Sequence, residues 1–184
     1  NRSFMFYVMR DNTAEADFMK IKNCIFENLS VYDTTHTSRM AGVIFEGNNT
    51  IKTTQDTAIR HRFEMSSVII KGSTDLCDPD TFNLEGYASM EIDNRAWNVN
   101  DLGRTEDTNT DGHLIFNIGD RSRLCAYKFN GGGAYTELEI GKYTILHNKS
   151  GGSLQLDLTN LWIEGKLICD EGSKSKFRAN IKGL

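Results

Sequence analysis

The chain has 184 residues, of which 39% are apolar, 25% charged and 10% aromatic, enough for one core of ordinary size and a single domain over residues 1–184. Its 25 acidic and 21 basic side chains leave a net charge of −4 with no Lys/Arg cluster, which argues against a phosphate-tracking surface and sets nucleic acid aside as a partner. The longest apolar run, Phe4 to Met9, is shorter than a membrane span and shorter than a signal-peptide core, so neither is predicted.

In chain order the first element is that run, which follows Asn1 so closely that the sequence reads as a segment of a longer polypeptide. Helical periodicity is confined to Asn12 to Lys20, room for a turn or two. From there on, short alternating runs bounded by Gly, Asn, Asp and Ser predict strands. Four stretches share one plan, an apolar-x-apolar triplet, two corner residues and a second such triplet. They are Met19-Lys20-Ile21 to Cys24-Ile25-Phe26, Phe63-Glu64-Met65 to Val68-Ile69-Ile70, Leu138-Glu139-Ile140 to Tyr143-Thr144-Ile145, and Leu156-Asp157-Leu158 to Leu161-Trp162-Ile163. Looser versions run from Met90 to Val99 and from Phe116 to Ala126, and Val43-Ile44-Phe45 and Phe177-Arg178-Ala179 supply further first triplets.

The central residues of the first triplets, from Lys20 to Arg178, recur at intervals of 18 to 27 residues. A solenoid explains such a repeat, because each coil must bring the backbone back to one place, about 4.8 Å further along. A two-residue corner is too short for a hairpin that keeps both triplets on one core, and Asn, Ser and Gly suit a bend because they tolerate left-handed backbone. In its Ile21-Lys22-Asn23-Cys24-Ile25-Phe26 segment and its Leu158-Thr159-Asn160-Leu161 corner the sequence resembles the right-handed parallel β-helix proteins, the pectate-lyase-like enzymes and phage tailspikes. The resemblance implies an all-β, right-handed parallel β-helix with little helix. Ile21, Met65, Ile92, Ile118, Ile140 and Leu158 should then share one interior column. The competing architecture is an antiparallel β-sandwich or jelly roll, with Gly131-Gly132-Gly133 and Lys149-Ser150-Gly151-Gly152 as hairpin loops.

The resemblance also implies an extracellular or virion-associated protein that engages a polysaccharide or cell-surface glycan, with or without cleaving it, and that assembles as a homotrimer. A non-enzymatic spike, fibre or capsid-associated domain making subunit contacts is the alternative. In the predicted register the central residues of the first triplets point outward and stack. Glu64 and Glu91 become neighbours on adjacent coils, as do Glu139 and Asp157, and paired carboxylates about 5 Å apart suit a retaining glycosidase. The plainer reading of the same stripe is a solvated strand face. Trp162, central in its triplet, should face outward as a sugar platform or an interface residue.

Other motifs point to less. Asp101, Glu106, Asp107, Asp111 and Asp120 lie in and after a long polar stretch whose Asp107 to Gly112 portion alternates oxygen side chains but lacks the downstream Glu of a calcium loop. His36, His61, His113 and His147 are dispersed. No CxxC, HExxH or Cys/His cluster occurs, so no metal site is predicted, and no cofactor is expected. Cys24, Cys125 and Cys169 have apolar neighbours and read as small buried hydrophobes.

Overall fold

The computed structural model describes residues 7–8, 18–28, 37–53, 62–75, 77–93, 100–103, 112–127 and 137–182. Its strands wind as a right-handed parallel β-helix with three faces per coil. In the first coil β1 (Tyr7–Val8), β2 (Met19–Lys22) and β3 (Ile25–Asn28) occupy faces one, two and three. β4 (Thr37–Glu46) runs through faces one and two before β5 (Asn49–Thr53) takes face three, and β6 (Arg62–Ile70) and β7 (Asp80–Gly86) repeat that plan. The next two coils divide the long strand, giving β8 (Ser89–Asp93), β9 (Asp101–Leu102) and β10 (Leu114–Ile118), then β11 (Arg123–Tyr127), β12 (Glu137–Ile140) and β13 (Thr144–Asn148). β14 (Ser153–Ile163) is again continuous over two faces, β15 (Lys166–Cys169) follows on face three, and β16 (Lys174–Lys182) stacks on β14.

Every pairing between these strands is parallel, in a ten-stranded sheet folded along faces one and two and a six-stranded sheet on face three. The antiparallel sandwich is therefore overturned. The described residues contain one isolated antiparallel bridge, Ser73 with His113, and no helix. Of the predicted helical stretch, Met19 and Lys20 belong to β2, and Asn12 to Asp17 lie outside the described residues.

The corners explain the turn chemistry of the sequence. Faces one and two are separated by a single left-handed residue inside a continuous strand, Gly42 (φ 67°) in β4 and Ser67 (φ 52°) in β6, and by a slip between Asp157 and Asn160 in β14. Asn23 (φ 54°) turns face two into face three, where its Oδ1 accepts the Asn48 amide at 2.8 Å. Asn48 Oδ1 in turn accepts the Thr81 amide of the next coil at 3.0 Å. Buried Asn49 closes the same corner, accepting the Cys24 amide at 3.0 Å and donating to the Glu46 carbonyl at 2.9 Å. Asparagine side chains thus stand in for the backbone partners that bent segments lose.

Inside, side chains stack by register. Ile21, Phe45, Ile70, Leu102, Ile140 and Ile163 form the face-two column, and Met65, Ile92, Ala126 and Leu156 the face-one column. On face three Phe82 stacks on Phe116 with centroids 4.9 Å apart, and Phe45 meets Phe82 edge-on at 5.0 Å. All six residues expected in one interior column are buried, but the column itself is a correction. Met65 and Ile92 lie on face one, Ile21 and Ile140 on face two, Ile118 on face three and Leu158 at the β14 slip. The triplet plan matches two different corners, one before face two and one before face three, so it samples all three faces. Because Phe82 is wholly buried between aromatic neighbours, Phe82→Ala should destabilise the fold by about 3–5 kcal/mol in chemical denaturation, and a loss below about 1 kcal/mol would contradict the stacked core.

Asp80 tests the corner electrostatically. Burial pushes its carboxyl above the ordinary carboxylate range, against the opposing pull of the Gly47 amide, which donates to Oδ2 at 3.1 Å, and of the Lys22 charge. A raised folded pKa means that the group favours folding most when protonated, and that this contribution is lost as pH rises through the folded pKa. Asp80→Asn keeps an acceptor for Gly47 and removes the half-buried charge. The variant should be at least as stable as the parent at pH 7, with the advantage shrinking as pH falls into the carboxylate range. Thermal melts showing it equally destabilised at both pH values would refute this.

Candidate functional site

The outward positions form ladders as regular as the core. On face one the backbone register runs Arg39, Glu64, Glu91, Cys125, Gln155, Lys176. Glu64 and Glu91 are thus direct neighbours on adjacent coils, as the sequence predicts, about 4.8 Å apart along the stack. The Glu64 side chain lies outside the described residues. Glu91 is not solvated as expected but 7% exposed, next to the fully buried Cys125. Arg123 ties this row together, its Nε donating to Cys125 Sγ at 2.8 Å and its Nη2 to Gln155 Oε1 at 3.2 Å. From Glu91 to Gln155 the stripe is a sheltered polar row, not a bare strand face.

On face two the ladder runs Lys20, Ile44, Ile69, Asp101, Glu139, Trp162, Lys182. Ile44 and Ile69 point away from the main core yet are buried, because Phe18 packs over them as a second apolar cluster. Asp101, which the sequence places in a polar stretch, is a strand residue at 5% exposure. Beyond it Glu139 is half-buried and Trp162 is 41% exposed while its neighbour Leu161 is fully buried, so the predicted outward tryptophan is where the alternation puts it.

The pairing of Glu139 with Asp157 is corrected. Glu139 lies between Asp101 and Trp162 on face two, whereas Asp157 lies on face one opposite Tyr127 and Arg178, whose Nη1 is 3.8 Å from Asp157 Oδ2. One residue precedes a corner into face three and the other a corner into face two. Equivalent positions in the triplets are therefore not equivalent places on the solenoid.

Face three is structural in its chemistry. Asn117 donates to Asn83 Oδ1 at 2.8 Å, an amide ladder that continues in register to His147, whose Nε2 lies 2.8 Å from Asp170 Oδ1. His147 thus clamps the next corner, and His113 sits in the bridge to Ser73. His36, His61, Trp97, the Glu106 to Asp111 stretch and Gly131 to Gly133 lie outside the described residues. Among the cysteines only Cys125 is buried. Cys24 is half-buried and Cys169 exposed, because Cys169 lies on the outermost described strand of face three, where apolar neighbours in sequence do not guarantee cover. Among the described residues no group of three or more His, Cys, Asp and Glu side chains could hold a metal ion, and no helix is long and apolar enough to cross a membrane.

Sequence reasoning missed one feature, an open cleft of about 400 Å³ at the corner between faces three and one. Lys52, Glu85, Tyr87, Asp120 and Arg121 rim it, and Gly86 and Gly119 line it. The Arg121 guanidinium lies 5.4 Å from the Tyr87 ring centroid, donates from Nη1 to the Tyr87 hydroxyl at 2.7 Å, and places Nε 3.4 Å from Asp120 Oδ2. The signal was available as turns of constant length. Glu85–Ala88, Gly119–Ser122, Lys149–Gly152 and Asp170–Ser173 are each closed by an amide three residues on. Comparison with known proteins finds no matching family model, curated relative or solved structure.

Proposed function

We propose that this β-helix segment binds a polysaccharide or cell-surface glycan along face two, with Trp162 as the stacking surface. The observation that carries the reading is the pair Glu139 and Trp162 on adjacent coils, where an exposed indole stands beside a half-buried carboxylate. A sugar ring needs an apolar face to stack on and acceptors for its hydroxyls at its edge, and a strand ladder offers both at a fixed spacing. Tyr143, 39% exposed at the corner that follows β12, adds a second aromatic on the path. The tailspike resemblance supports an extracellular or virion-borne homotrimer as the setting. Glu64 and Glu91 are the residues we assign to cleavage, because carboxylates on adjacent coils can serve as acid and nucleophile. The exposed apolar side chains Ile25, Ile168 and Phe177 favour a second reading, a structural spike whose outer faces make subunit contacts.

A panel of bacterial and plant glycans, assayed for retention and for reducing-end release, separates the two readings. At least one glycan should be retained, and Trp162→Ala should weaken it by about tenfold or more, close to 1.4 kcal/mol. Retention of nothing, together with a stable trimer in sedimentation, would favour the structural spike. For any glycan that is cleaved, Glu64→Gln and Glu91→Gln should each lower turnover by orders of magnitude with folding intact. Unchanged turnover in both would assign the row to the fold alone.

A further inference from the structure

We infer that the corner cleft around Arg121 is a separate binding site for a single uncharged pyranose residue. It lies where face three turns into face one, away from the Trp162 ladder, so it stands apart from the face-two reading. The turns stack in register, which places Arg121 in line with Tyr87 below and with Gly151 and Gly172 above, and the amide of Arg121 donates to the Gly151 carbonyl at 3.1 Å. Gly151 and Gly172 have φ of 76° and 80°, and Arg121 adopts φ 61° at the same place. Two coils fill a left-handed position with the residue that suits it, and this coil fills it with arginine. A residue held in disfavoured backbone geometry at the rim of a cleft points from conformation to function.

The cleft is lined where two glycines pass close over the backbone of the coil below. In the column Lys52, Glu85, Gly119 and in the adjacent column Thr53, Gly86, Asp120, neither glycine position has room for a side chain. A Cβ at Gly119 would come within 2.7 Å of the Leu84 carbonyl oxygen, and one at Gly86 would run into that of Thr53. The volume of about 400 Å³ suits a small ligand. The rim chemistry selects its kind. Lys52 and Arg121 donate, Glu85 and Asp120 accept, and the two cations and two carboxylates cancel, so neither a simple anion nor a simple cation is favoured. A hydroxyl both donates and accepts, and a pyranose presents adjacent hydroxyls to such alternating partners. Arg121 is already held by Tyr87 and Asp120 through Nη1 and Nε, which leaves Nη2 to bind the sugar from a fixed position.

The test is titration of the full chain with methyl α-D-glucopyranoside, methyl α-D-mannopyranoside and methyl α-D-galactopyranoside, followed by amide chemical shifts. At least one should move the resonances of residues 85–88 and 119–122 with millimolar affinity. Arg121→Gly adopts the residue used in the following coils and should keep or raise the melting temperature while weakening binding about tenfold or more. Tyr87→Phe, which keeps the ring and removes the acceptor that holds Nη1, should weaken it to a smaller extent. Failure of all three pyranosides to move these resonances, or binding unaffected by Arg121→Gly, would overturn the proposal. So would tighter binding of inorganic sulfate or free galacturonate, which would make the cleft an anion site. Polymeric glycans on face two report on different resonances, so failure of either proposal is visible without the other.

Discussion

Every coil must return the backbone to the place it left, one strand spacing along, with its amides and carbonyls still aimed up and down the stack. In-register parallel pairing is the constraint on which the rest depends, because a bent segment that misses its partner strands polar backbone in a dry interior. It explains why left-handed residues sit at the corners, why Asn49 and Asn100 are buried there, and why the core is built of columns. Asn100 accepts the Val68 amide at 3.4 Å, and Thr144 reaches from one coil to the Leu102 carbonyl of another at 3.0 Å. The Phe45, Phe82 and Phe116 rings then fill the space the columns enclose.

The same constraint does not bear equally on the three corners. Between faces three and one the four described turns have one length, so their side chains stack as strictly as those of the strands. Between faces one and two the chain bends at one residue in β4 and β6 and slips in β14, whereas residues 94–100 separate β8 from β9 and residues 128–136 separate β11 from β12. Insertions are tolerated where neighbouring coils need not match, which is where loops with separate roles accumulate. The two earlier coils carry longer connections between faces three and one, residues 29–36 and 54–61, but where the turn keeps one length its individuality must come from side chains. Arg121 and the glycines beside it are that individuality.

How far the sequence reveals this depends on what each signal encodes. Triplets with an intervening corner encode a bend between parallel strands, and the bends at Asn23 and Ser67 are left-handed as their residue types suggest. They do not encode which bend. Glu64 and Glu91 are legible as neighbours because both precede the exit from face one, whereas Glu139 and Asp157 precede different exits and fall on different faces. Burial of outward positions is legible still less. Nothing in Val43-Ile44-Phe45 reveals that Phe18 covers Ile44, and nothing around Glu91 reveals that it is sheltered, since cover comes from elsewhere in the chain. Periodicity reads a strand's two sides, while function here depends on what lies across them.

Charge shows most sharply where the ladders depart from what stability alone would choose. In a parallel stack each side chain sits one strand spacing from its equivalents, so like charges in one column repel and opposite charges help. Glu27, Lys52 and Glu85 alternate in sign, and Asp157 meets Arg178. Among the described residues two columns break the rule, with Glu64 beside Glu91 on face one and Asp101 beside Glu139 on face two. In each pair one carboxylate, Glu91 or Asp101, is nearly inaccessible. Among the described residues these are the two places where strand register sets like charges side by side. The proposed readings of faces one and two draw on these acidic pairs, and the exposed Trp162 stands next in line to one of them.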